Sequence, residues 1–455
     1  MRVPSDATLP TGQVMRRYQA AILIAIVAVI VILVVVQGIA NLFTNYLWFR
    51  SEAFDDVWRS MTITKIELEA FFTVLFFAAC WVSLWVVDRV APRALFMSPE
   101  HDFIRRYQAV VGTHRFAVRT IVAAAVALAV GSGTGSQWQH WLLFLHGGNF
   151  GIRDPQFHKD VGYFVFKLPF LSFLVNWTQL ALIVLAIVCV AAYYLNGGLR
   201  FTGPSPKVDP RATSHFSVIF ATLALLRAAA YFYVDRFNLD LGPNGTLFRG
   251  AGYTAIHVRL PAMNLLAIVA LAAFAIFVYN IYARSWALPI VAAGLWAFVA
   301  FAVGVIFPAA VQLLQVNPAQ SAVELPYVAR NMTATRAAFS LSGVTQQPFQ
   351  GNQDATAGVV QKDVASLEDV DLWDPSVSSQ TFQTLERIKG FYSINGLAVD
   401  RYPLINPVTK TSQVTPVVIG VREISTPNLN RLTWVNTHLV YTHGYGAVMA
   451  PANNP

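Results

Sequence analysis

Residues Leu260–Leu314 read LPAMNLLAIVALAAFAIFVYNIYARSWALPIVAAGLWAFVAFAVGVIFPAAVQLL, and this stretch decides the fold class. Its sole charged residue is Arg284. A bilayer core of about 30 Å takes about 20 apolar residues in a helix, so the stretch is long enough for two crossings. Arg284 and Ser285 fall near its middle, where a tight turn would join the two. The reading therefore predicts a hairpin of membrane spans over 260–283 and 286–314.

Five further segments approach or meet that length. They are 18–40, led by Arg16 and Arg17; 66–87, closed by Asp88 and Arg89; the short 116–130; 168–195; and 216–234, interrupted by Arg227. The apolar run of the first is longer than the 7–15 residues of a signal-peptide core, so an uncleaved anchor is expected. The third ends in Gly131-Ser132-Gly133-Thr134-Gly135. After it, Trp138 and Trp141 stand three apart in 137–145, which suits an interfacial or re-entrant helix. The alternative is that the span runs on through the glycines, at a cost in helix propensity.

Composition agrees. Of 455 residues, 55% are hydrophobic and 12% charged, about half the charge of soluble domains, and mean hydropathy is +0.50. An ordinary cytosolic enzyme, a disordered chain and a disulfide scaffold are excluded. The net charge of +8 lies in the apolar part: 23 basic against 14 acidic residues through Asn317, then 9 against 10. No run of five basic residues occurs, so no nucleic-acid partner is expected. Cys80 and Cys189 fall in apolar stretches and read as core thiols.

Basic residues concentrate in the loop after the second span, with Arg89, Arg93, Arg105, Arg106 and Arg115. By the positive-inside rule that loop and the N-terminus face the cytoplasm. Seven spans then put 318–455 outside it, in a multi-pass protein of the plasma membrane. The expected fold class is an α-helical polytopic membrane domain over 1–317, followed by an α+β extracytoplasmic region over 318–455. In the latter, 319–341 reads as helical, broken at Pro326, and 346–358 as a loop. A helix is expected over 381–391 and strands over 413–422 and 432–441. The chain stops at Pro-Ala-Asn-Asn-Pro directly after a strand-like run, which reads as truncated.

Several motifs carry a resemblance. Phe150-Gly151-Ile152-Arg153-Asp154-Pro155-Gln156-Phe157-His158-Lys159-Asp160-Val161-Gly162-Tyr163 is the most recognisable. Val316-Asn317-Pro318, Glu324-Leu325-Pro326-Tyr327 with Asn331, and Thr335-Arg336-Ala337-Ala338-Phe339 follow it. Leu372-Trp373-Asp374-Pro375, Asp400-Arg401-Tyr402, Arg422-Glu423 and Tyr441-Thr442-His443-Gly444-Tyr445-Gly446 complete the set. Together they resemble uncharacterised protein family 0182, large bacterial multipass membrane proteins. The resemblance implies seven membrane helices, a large extracytoplasmic region, and a full chain about twice this length. It implies no activity and no catalytic residues.

Arg227 is the most informative single residue. An arginine inside a span costs at least about 2.5 kcal/mol unless it snorkels or pairs. Glu67 and Glu69, at matching depth on the second span, are the expected partners, either in a structural pair or lining a polar pathway. Asp154, His158 and Asp160 could ligate a cation, but a turn at Asp154-Pro155 and a helix cap at Asp160 explain them better. His438 and His443 lack a nearby nucleophile or paired carboxylate in sequence. Gly131–Gly135 follows no strand and is not a nucleotide loop. No metal, cofactor or catalytic residue is assigned.

The expected function is binding or passage of hydrophobic, lipid-like cargo at the cell envelope, without covalent chemistry. The alternatives are an envelope enzyme acting on a membrane-linked substrate from a site beyond these residues, and a structural or scaffolding subunit. Membrane lipids are the expected partners. A homo-oligomer and envelope proteins are compatible with each reading.

Overall fold

The computed structural model describes residues 11–90, 102–200, 207–244, 248–348, 351, 356–363, 370–405, 410–429 and 431–453. Among the described residues, seven helical runs are long and apolar enough to cross a membrane: Ala28–Ser51, Asp55–Val90, His114–His146, Tyr163–Leu195, Pro210–Asn238, Ala255–Ala283 and Ala287–Val323. The helices used below are α1 (Thr11–Ser51), α2 (Asp55–Val90), α3 (Asp102–Gly131), α4 (Trp138–His146), α5 (Leu168–Leu195), α6 (Pro210–Ala230), α7 (Leu260–Ala283) and α8 (Ala287–Phe301). The chain forms two compact units, Trp48–Val344 and a second made of Met1–Leu47 with Thr345–Pro455.

In the helical unit, α2 and α5 bury every fourth residue along one face. The rows are Leu68, Phe72, Phe76, Cys80, Leu84 and Trp177, Ala181, Leu185, Cys189, Tyr193. Such i±4 ridges pack into one another's grooves. Ala123 and Ala127 of α3 complete this core and let the backbones approach. Between α6 and α7, the fully buried Asn280 side chain donates to Ser217 Oγ at 2.8 Å. The Asn280 carboxamide oxygen also accepts from Ser285 N–H at 3.0 Å, and Arg284 turns left-handed at φ 55°. One buried amide thus glues two helices and closes the expected hairpin turn. Large apolar residues such as Ile268 and Phe298 stay more than half exposed, as lipid-facing side chains do.

The third apolar run continues past the glycines. α3 is kinked at His114 (φ −125°, ψ 34°), ends at Gly131, and passes through a 3₁₀ turn, Thr134–Gln137, into α4. Thr134 Oγ1 donates to Gly131 O at 2.7 Å across the turn. The glycines are required by closeness to α2. A Cβ at Gly131 would overlap the Thr73 side chain, and one at Gly135 would lie 2.9 Å from a Glu69 carboxylate oxygen.

Residues 318–344 belong to the helical unit, although their composition differs from that of the spans. Pro326 does not break a helix but sits in the first turn of α9 (Leu325–Ala338), where a missing N–H costs nothing. Glu324, only 1% exposed, accepts from Tyr253 N–H, with oxygens at 3.1 and 3.3 Å. Tyr327 Oη meets His257 Nε2 at 2.9 Å, and Asn331 Nδ2 donates to Arg249 O at 2.9 Å.

In the second unit, Asp374 caps α10 (Pro375–Glu386), accepting from Ser376 N–H at 2.7 Å. Strands β1 (Ala398–Ile405), β2 (Ser412–Val421) and β3 (Ala447–Pro451) form an antiparallel sheet in the order β1-β2-β3. Val418 pairs with Val399 on one side and Ala450 on the other. The central strand is accordingly the one that buries consecutive residues, Pro416–Val418. The expected strand over 432–441 is corrected: it forms a π-helical turn, Asn436–Val440. Thr433 Oγ1 accepts from Asn436 N–H at 3.2 Å, and the Trp434 ring stacks on His438 at 4.6 Å. The expected helix over 381–391 starts earlier and ends at Glu386, before Ile388 adopts φ 65°.

Candidate functional site: a polar cavity among the apolar helices

Among its described residues the helical unit contains five π-helical turns: Tyr163–Lys167, Tyr231–Asp235, Ala255–Arg259, Ala302–Ile306 and Gln312–Val316. Four are followed at a fixed distance by proline: Pro169, Pro261, Pro308 and Pro318 each stand two residues past the turn. A proline inside a helix has no N–H to donate and its ring strikes the carbonyl four residues back. Widening the preceding turn relieves both problems. The turn Tyr231–Asp235 is the exception, with Phe237 at the corresponding place.

Three of these turns meet around one cavity of about 550 Å³. Tyr231 and Asp235 come from the α6 side, Arg259 from the turn before α7, and Gly304 and Val305 from the turn after α8. Asn176 of α5 and Leu266 of α7 complete its wall. A π turn carries an extra residue, which displaces side chains from the regular helical face. That is why such turns recur at functional sites.

Arg227 lines this cavity and is neutralised there. Its Nη2 lies 2.9 Å from Asp235 Oδ2, its Nη1 donates to Gln179 Oε1 at 3.3 Å, and its guanidinium lies 4.4 Å from the Tyr231 ring centroid. The side chains are 19% and 22% exposed, a half-dry pair. This corrects the expected partnership: Glu67 and Glu69 make no ion pair with Arg227 among the described residues. Both are exposed on α2, and Glu69 packs beside Gly135. Asp235, eight residues along the same helix, is the nearer carboxylate, and a local pair needs no other helix to be held in register. Arg259 differs from Arg227. It lines the same cavity, is exposed, and has no ion-pair or hydrogen-bond partner among the described residues. The cavity therefore holds one compensated and one uncompensated cation.

The segment 137–166 is ordered. The Asp160 carboxylate accepts from Phe150, Gly151 and Gly162 N–H at 2.9, 2.9 and 2.7 Å. The Phe150 bond, with the other two, holds that carboxyl below its ordinary range. Asp154 accepts from Gln156 N–H at 2.8 Å in a turn. His158 stands apart at φ 55° in the same turn. Phe157 and Tyr163 pack on Phe237 at 5.3 and 5.2 Å. The two acids thus shape the loop backbone, and among the described residues no three His, Cys, Asp or Glu side chains converge. Asp240 is a carboxyl whose chemistry no sequence pattern flags. Burial, the Asp154 charge and a hydrogen bond with Asp154 push it up to about 7. His438 Nδ1 meets Trp434 O at 3.0 Å and His443 Nδ1 meets Thr442 Oγ1 at 2.8 Å.

The model of the Uncharacterised protein family (UPF0182) matches residues 22–455. A UPF0182 protein of Frankia casuarinae is 36% identical over 436 residues, 95% of this chain and 42% of that one. One of Streptomyces coelicolor is 31% identical over 453 residues, 98% of this chain and 44% of that one. One of Salinispora arenicola is 33% identical, with 98% and 45% covered. The chain thus spans less than half the length of these curated relatives. No solved structure matches it. The family match over nearly the whole chain and these identities agree with the motif pattern around Phe150–Tyr163, and the chain belongs to the Uncharacterised protein family UPF0182.

Proposed function

We propose that this chain is the membrane part of a cell-envelope protein that binds or passes lipid-like cargo without covalent chemistry, and that the cavity of about 550 Å³ beside α5–α8 is where the cargo sits. The observation that carries the reading is the uncompensated Arg259 on a cavity with one apolar side, made by Met263, Leu266, Ala300 and Val305, next to the neutralised Arg227–Asp235 pair. Apolar walls take an acyl or prenyl chain. An exposed guanidinium at the rim takes a polar head, and an arginine within spans is a functional candidate by default. The orientation belongs to the same proposal: the N-terminus faces the cytoplasm and 318–455 lies outside it, in the plasma membrane. An impermeant thiol reagent on intact cells should then label Ser342→Cys and spare Ser98→Cys.

The cargo test fills the cavity. A Cβ at Gly304 would meet Leu266 at 3.6 Å, whereas one at Gly294, on α8, would meet nothing within 4 Å. Gly304→Trp should strip co-purifying lipid from the detergent-solubilised protein, read by native mass spectrometry, and Gly294→Trp should not. Equal lipid retention by the two variants refutes the assignment.

A further inference from the structure

A second cavity, of about 220 Å³, shares only α5 with the first and lies between the end of α2, the start of the third run and the end of α5. Its polar side is made of Asp88, Arg115 and Arg119. Leu84, Val118, Val122, Val188 and Leu195 supply apolar walls. Arg119 Nη1 lies 3.4 Å from Asp88 Oδ2, and the guanidinium lies 4.1 Å from the Trp81 ring centroid. That ring is itself fixed, its N–H donating to Thr120 Oγ1 at 3.3 Å. Arg119 is thus clamped in one orientation, 12% exposed at its side chain.

Two features are left over. The Arg119 Nε–H is buried and has no acceptor. Buried donors are almost always paired, so an orphan calls for an explanation. Arg115, half-buried, has no hydrogen-bond partner among the described residues. Both guanidinium groups act on the one carboxylate of Asp88, so the cluster carries a surplus of one positive charge. A surplus cation on an apolar-walled cavity fits an anion that brings its own hydrocarbon. The wall opens onto the outer helix surface: Val122, which lines it, is itself 38% exposed. Basic pockets between membrane helices take anionic lipid heads in this way.

We propose that this cavity binds the headgroup of an anionic phospholipid, its phosphodiester accepting from Arg115 while an acyl chain lies along Val122 and Val188. Asp88 sets the selectivity. By neutralising one of the two cations it leaves room for a single negative charge. The site is independent of the cavity beside α5–α8.

The test uses the purified full chain and phosphatidylglycerol against phosphatidylcholine, with bound lipid counted by native mass spectrometry. The wild type should retain phosphatidylglycerol in preference. Arg115→Gln should lower that preference roughly fivefold, the worth of one basic side chain at an anionic surface. Arg115→Lys, which keeps the charge, should retain most of it. Val122→Trp, which fills the cavity, should abolish it, and so should hold if Arg115→Gln proves unstable. Arg211→Gln, at an exposed arginine that lines neither cavity, should leave it unchanged. No preference in the wild type overturns the proposal, as does an unchanged preference in both Arg115→Gln and Val122→Trp. Equal protection from thermal unfolding by free glycerol phosphate would make it a site for soluble anions and overturn it too.

Discussion

Arg227 and Asp235 meet at 2.9 Å although eight residues separate them on one helix. At 1.5 Å per residue their Cα atoms would stand about 12 Å apart along a regular helix. Two things close the gap. The guanidinium lies along the helix over Tyr231, and the Asp235 Cβ tilts back toward the N-terminus, as helical Cβ atoms do. A half-dry ion pair of this kind is sensitive to loss of one partner, because the other is left uncompensated. In a double-mutant cycle with Arg227→Leu and Asp235→Asn, read as thermal stability in detergent, the coupling should be about 1–3 kcal/mol. Cycles of Arg227→Leu with Glu67→Gln or Glu69→Gln should be additive. Coupling to either glutamate, with none to Asp235, would refute this geometry.

Glu324 should be a stability residue. Its buried carboxylate takes the Tyr253 N–H, and Glu324→Leu would leave that donor orphaned at about 1–3 kcal/mol. Glu324→Gln retains an acceptor oxygen and should cost less. Limited proteolysis within 318–344 should speed up for the leucine variant alone. Equal cleavage of both variants would mean that the hydrogen bond is not what holds this segment.

Asp240 makes stability depend on pH with a defined sign. Its folded carboxyl is pushed up to about 7, chiefly by burial and then by Asp154, while the Ala251 N–H and Arg330 oppose the shift. An unfolded aspartate titrates near about 3.9. Between those values the unfolded chain releases a proton that the folded chain keeps. This group's contribution is therefore whole below about pH 4, is lost as pH rises toward about 7, and is flat above. Asp240→Asn should gain on the order of 1–3 kcal/mol over the wild type at about pH 8 and nothing at about pH 4. An equal effect at both pH values would show that the carboxyl titrates normally.

The prolines should set the shape of the first cavity. Pro308→Ala restores an N–H and removes the ring that widens the turn Ala302–Ile306. The expected outcome is unchanged or slightly higher thermal stability with reduced lipid retention, because Gly304 and Val305 would rotate off the cavity wall. A variant that loses stability and keeps its lipid would assign the π turn to packing instead.

The membrane helices are legible in residues 260–314 and their counterparts because a helix in lipid must satisfy its own backbone hydrogen bonds, so length and apolarity suffice. The hairpin turn at Arg284-Ser285 is equally local, closed by Asn280 five residues before Ser285. Four of the five π turns stand two residues before a proline, but Pro289 and Pro326 follow none, so the structure and not the sequence assigned them. What the sequence leaves open depends on groups far apart in it. Residues 432–441 have strand-forming side chains, but a strand needs a partner, and local bonds from Thr433 and Trp434–His438 stacking make a helical turn instead. Residues 318–344 join the helical unit through Glu324, Tyr327 and Asn331, whose partners lie about 70 to 82 residues earlier. Arg227 announces itself as a buried charge needing a carboxylate, yet depth along the spans points to Glu67 and Glu69, and the acid it meets is Asp235. The π turn without a proline, on Arg227's own helix, brings Asp235 to it, and only the packing of the helices leaves Arg259 uncompensated across the cavity.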